Sequence, residues 1–99
     1  MRMMLKVTVP VEAGNAAVED GSLPKIIQGA IARLKPEAAY FFAEGGERSM
    51  LIVFDMADAS QIPQIAEPLF MGLNAAVSLL PVMNAEDLQK GLSAATAQR

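Results

Sequence analysis

Met3, Leu5, Val7 and Val9 alternate with Met4, Lys6 and Thr8 near the start of the chain. This period of two is what a half-buried strand imposes on its two faces. Pro10 ends the strand. A different pattern begins at Leu23, where Leu23, Ile26, Ile27, Ala30, Ile31 and Leu34 recur at the spacing of a helix that buries one continuous stripe. Ser22 stands before it as an N-cap, and Pro24 falls in the first turn, where a missing N–H costs nothing. Lys35-Pro36 stops the helix, because the residue before a proline is pushed out of the α region. Between strand and helix, Val11 to Gly21 carries Glu12, Gly14, Asn15, Glu19 and Asp20, and reads as a long loop with one helical turn at Ala16 to Val18.

Two apolar runs, Ala38 to Ala43 and Arg48 to Phe54, then flank Gly45-Gly46. Glycine supplies the positive φ that tight hairpin turns need, so the pair predicts an antiparallel hairpin with Ala43 opposite Arg48 and Phe41 opposite Met50. After a turn over Asp55 to Ser60, Ile62, Ile65, Ala66, Leu69 and Phe70 form the stripe of a second helix. Ser60 is its expected N-cap, Pro63 its third residue, Pro68 the site of a bend or early break, and Gly72 its end. Ala75 to Val82 predicts a fourth strand, with Pro81 tolerated near an end or on an edge. Asn84 and Asp87 have the spacing of a capping box, opening a short last helix through Leu88 towards Leu92. The expected organisation is one domain over 1–92, with a frayed tail over 93–99.

The order β, α, β, β, α, β predicts an α+β fold of the ferredoxin-like kind: a four-stranded antiparallel sheet with two helices on one face, plus a short C-terminal helix. Two helices cover only one face. Yet Met50, Ile52 and Phe54 share a strand with Leu51 and Val53, and Phe41 is flanked by Tyr40 and Phe42, so both faces are apolar. A one-sided sheet would alternate cleanly. The expectation is a homodimer formed through the second sheet face.

Composition narrows the chemistry. A chain of 99 residues is one domain that buries only about 60 to 65 % of its unfolded surface. At 53 % hydrophobic and 19 % charged it is apolar for its size, which again points to a covered surface. A net charge of −3 with scattered Lys and Arg argues against a nucleic-acid partner. With no Cys there is no disulfide and no thiolate ligand, and with no His the commonest general base, metal ligand and haem ligand are missing. No cofactor and no metal are therefore expected. No apolar run reaches the length of a membrane span, and the first residues alternate rather than forming a signal core, so a soluble cytoplasmic protein without a membrane partner is expected.

The segments VTVPVEAGN, DGSLPKIIQ, LKPEAAYF, IAEPLF and PVMNAEDL resemble small bacterial proteins of the dimeric α+β barrel type that have no assigned activity. The likeness runs from about Val7 to Leu88. It implies the fold and a dimer but carries no reaction with it. The broader group includes antibiotic-biosynthesis-type monooxygenases and muconolactone-isomerase-like enzymes. Its metal-using and haem-using branches depend on His, which this chain lacks.

Lys6, Thr8, Tyr40 and Ser78 are the candidate ligand-binding residues, suited to a small apolar or anionic molecule; catalytic residues are unknown. The plainer alternative has Lys6 reaching solvent at a dimer edge and Tyr40 as ordinary core. Glu44 and Glu47 face one another across the hairpin turn, where water screens them. Gly14-Asn15 and Gly21-Ser22 are turn and cap chemistry without a phosphate-binding pattern. The methionines fill an adaptable core or interface. The function these residues predict is a small dimeric, non-catalytic binding or interaction module. The alternative is a cofactor-independent monooxygenase- or isomerase-like enzyme, with Tyr40 or Lys6 assisting proton transfer.

Overall fold

In the computed structural model, which describes residues 1–97, strand β1 (Arg2–Val9) lies inside a four-stranded antiparallel sheet between β3 (Glu47–Asp55) and β4 (Ala76–Pro81), and β2 (Ala38–Glu44) forms the edge beyond β3. Burial along β1 alternates strictly: Met3, Leu5, Val7 and Val9 are buried, and Met4, Lys6 and Thr8 are half-buried. Register extends this parity across the sheet, with Leu5 opposite Ile52 and Leu79, and Val7 opposite Met50 and Val77. The β2–β3 hairpin closes through Gly45 at φ 61° and Gly46 at φ 79°, two positive angles that residues with a Cβ resist. Its register is the expected one.

The helices α2 (Ser22–Leu34) and α3 (Ile62–Leu73) pack their stripes on the face carrying Leu5, Val7, Ile52 and Phe54. Each such side chain removed from water contributes about 1.5–3 kcal/mol, which makes this layer the main source of stability. The helix ends differ from the expected ones in detail. Gly21, at φ 79°, occupies the N-cap of α2, and Ser22 is the first helical residue, its N–H donating to Asp20 Oδ1 at 2.8 Å. A 3-10 turn at Ala59–Gln61 precedes α3, and the cap belongs to Asp58 rather than Ser60. Asp58 Oδ2 accepts the Ser60 N–H at 3.1 Å, while Gln61 Oε1 accepts the Asp58 N–H at 3.3 Å. Pro63 sits in the first turn of α3, and the helix continues through Pro68 unbroken. Asn74, left-handed at φ 53°, ends it. Gly72 is instead a helical contact residue: a Cβ there would lie 3.0 Å from Ile26 Cδ1, where α3 approaches α2.

The segment expected as a loop is a helix, α1 (Val11–Glu19), so three helices rather than two lie over the inner face. Its buried residues are Gly14 and Ala17. These small residues let α1 lie close to the sheet, and they leave no large apolar stripe to read in the sequence.

The last helix, α4 (Ala85–Ala97), begins at the expected capping box: the Asp87 N–H donates to Asn84 Oδ1 at 2.8 Å, and the Asn84 N–H to Asp87 Oδ2 at 3.1 Å. It runs beyond Leu92. Of the tail expected to fray over 93–99, Ser93 to Ala97 is helical, and Gln98 and Arg99 lie outside the described residues. No residue of α4 is buried. The chain has a radius of gyration of 16.0 Å, where a compact chain of this length has about 13 Å, and its longest dimension is 56 Å. No helix among the described residues is long and apolar enough to cross a membrane.

Candidate functional site

The parity that points Leu5 and Val7 at the helices points Met4, Lys6 and Thr8 to the other side of the sheet, where no helix of the described residues packs. Lys6 is opposite Ser78 on β4 and Leu51 on β3, and Leu51 is opposite Tyr40 on β2. Tyr40, Leu51, Lys6 and Ser78 thus form one row across the open face. The next row is Phe42, Ser49, Thr8 and Ala76, and on the other side stand Ala38, Val53, Met4 and Leu80. The four candidate residues share a face. They stand on an open surface: Tyr40 is 63 % exposed rather than core, and Ser78 is exposed as well. Lys6 Nζ pairs with Glu44 Oε1 at 2.7 Å, so Glu44 turns to the lysine although the backbone sets it opposite Glu47.

One end of this face holds a cluster of ion pairs. Arg2 Nε donates to Glu37 Oε1 and Arg2 Nη1 to Asp87 Oδ2, each at 2.6 Å, and the terminal amine meets Asp55 Oδ1 at 2.6 Å. The Glu37 hydrogen bond, above all, holds the Arg2 guanidinium above its ordinary pKa. Because Asp87 also belongs to the α4 capping box, Arg2 ties the start of that helix to β1.

A cavity of about 210 Å³ lies on the opposite, helix-covered side of the sheet. Val9, Leu23, Ile27, Phe41, Met50 and Leu73 form its apolar wall, and none of Lys6, Thr8, Tyr40 and Ser78 lines it. It exists because α2 leaves the outer part of β2 uncovered, with Phe41 at 55 % exposure although it faces the helix side. Arg48 also lines the cavity and is exposed. Its guanidinium rests on Gly14 of α1, where a Cβ would come within 2.6 Å of Nη1, and Nη1 donates to Asn15 Oδ1 at 3.1 Å. Among the described residues, no carboxylate pairs with it. Phe42 and Ser49 also border the cavity although their parity is that of the open face, and the Ser49 hydroxyl donates to the Glu47 carbonyl at 3.2 Å. The lining contains no Asp, Glu, Lys or Tyr, so it favours holding a molecule over moving its protons.

The cavity escaped the sequence reading because its wall comes from two helices and three strands distant in the chain. One signal was present: Arg48 has the same parity as Met50, Ile52 and Phe54, and so had to lie on the inner face. Gly14 carried no signal until α1 placed it under that side chain. No protein-family model matches the chain, and no curated protein is similar enough to lend it a function.

Proposed function

We propose that this chain is a small, non-catalytic interaction module that works as a homodimer, with the open faces of two sheets packed together and each α4 lying across the other copy. The observation that carries this reading is the composition of the open face. Met4, Tyr40, Phe42, Leu51, Val53 and Leu80 share it, and Tyr40 and Leu80 are 63 % and 51 % exposed in the single chain. An apolar surface of this extent on so small a body is characteristic of an interface.

The connectivity supports a ferredoxin-like fold of the dimeric α+β barrel type. β1 and β2 both run antiparallel to β3, which lies between them, so they are parallel to each other and form a split βαβ unit. Size supports a role for α4. Four strands at about 4.8 Å spacing and about eight residues at 3.3 Å give a flat footprint of about 500 Å², whereas a standard interface buries about 800 Å² per partner. α4 can add to that area, because Leu88 and Leu92 are exposed on it one turn apart. The Lys6–Glu44 pair enters such an interface already neutralised, which lowers the cost of covering the lysine.

Sedimentation velocity across the micromolar range tests the proposal. The expected species has twice the chain mass, and Leu51→Glu, at the centre of the face, converts it to a single chain with unchanged helix and strand content. A wild-type protein that sediments as one chain throughout that range would falsify the reading.

A further inference from the structure

We infer that the cavity between α2 and the β2–β3 hairpin binds a small monocarboxylate with an apolar body, its carboxylate held by Arg48. The size of the cavity sets the size of the body. At about 210 Å³ it exceeds the roughly 150 Å³ of an apolar cavity known to take up benzene, so one ring or a short branched chain fits within it. The wall sets its polarity. Val9, Leu23, Ile27, Phe41, Met50 and Leu73 offer no hydrogen-bonding side chain to the ligand.

Arg48 sets the charge. A guanidinium presents donors in a planar fork that matches the two oxygens of a carboxylate, and here Asn15 occupies only one of its N–H groups. Arg48, like Lys25, Arg33, Lys35 and Lys90, has no acidic partner among the described residues, and of these five it is the one that lines the cavity. Two features hold the fork in place: the Asn15 hydrogen bond, and the bare backbone of Gly14 beneath Nη1. A cationic ligand would meet a like charge, and a neutral one would leave the fork unused. The site lies on the helix side of the sheet but shares its rim residues Phe42 and Ser49 with the open face; the two inferences are separated by their variants, since Leu51 does not line the cavity and Arg48 has the parity of the inner face.

Phenylacetate and its uncharged counterpart phenylacetamide are the probes, titrated into the full-length protein by amide chemical-shift mapping and calorimetry. Phenylacetate is expected to give saturable shifts centred on Val9, Leu23, Ile27, Met50 and Leu73. It should bind at least about tenfold more tightly than phenylacetamide, the scale of a hydrogen bond to a charged group. Arg48→Gln should erase that difference. Gly14→Ala, whose methyl displaces the guanidinium, should weaken phenylacetate but not phenylacetamide. Equal affinity for the two probes in the wild type overturns the inference without any variant, so it stays testable even if Arg48→Gln fails to fold. Shifts that do not saturate, shifts confined to other residues, or full phenylacetate affinity in Arg48→Gln also overturn it.

Discussion

Asp58 illustrates how much a single side chain near a helix start decides. Its carboxylate accepts hydrogen bonds from both the hydroxyl and the N–H of Ser60, and these, the hydroxyl first, hold its pKa below the ordinary 3.8. A carboxyl with a depressed folded pKa contributes stability that is complete above the ordinary value and is lost as pH falls through the folded one. Asp58→Asn keeps a competent cap but removes the charge. The gap between the urea midpoints of wild type and Asp58→Asn should therefore be constant above about pH 5 and shrink as pH falls below the ordinary 3.8. A gap independent of pH would mean that the ionised carboxylate contributes nothing. At this scale the sequence was only partly legible. Spacing from the apolar stripe pointed to Ser60 as the cap; the 3-10 turn, which adds a residue set before α3, places the cap at Asp58.

Elements were legible in proportion to the size of their buried side chains. β1, the hairpin and α2 announce themselves through large apolar residues at periods of 2 and 3.6, and the structure has them within a residue or so of the expected bounds. α1 buries Gly14 and Ala17, so its inner face looked like a turn until the structure supplied the neighbours that require small residues there. α4 is the opposite case, a helix marked by its cap and not by its core. With no buried residue to hold it, α4 depends on the Asn84–Asp87 box and on Arg2. A helix of this length is marginal in water by itself. Asn84→Ala should cost α4 about 1 kcal/mol of local stability. Far-ultraviolet circular dichroism should register lost helix while the urea midpoint of the sheet domain barely moves. A large drop in that midpoint would show that α4 supports the domain after all.

Whole-molecule properties were the least legible, because they depend on which faces meet. Parity put Lys6 and Thr8 on one face of β1, but it took the register of the sheet to bring Tyr40 and Ser78 into their row, and neither the openness of that side nor the cavity behind it was legible. The same separation of faces allows the two proposed surfaces to be tested apart. The core formed by Leu5, Val7, Ile52, Phe54, Leu69 and Leu73 owes nothing to α4, so a chain ending at Met83 should fold with its thermal midpoint nearly unchanged. If α4 lies across the second copy, however, that truncated chain loses part of the interface. Its dimer dissociation constant should then rise by about tenfold or more, the equivalent of about 1.4 kcal/mol, a modest share of what covering Leu88 and Leu92 would contribute. Sedimentation over a concentration series measures this directly. A truncated chain that dimerises as tightly as the full one would confine the interface to the sheet face and leave α4 an unpartnered arm. Phenylacetate should bind both chains alike, because no residue of α4 lines the cavity.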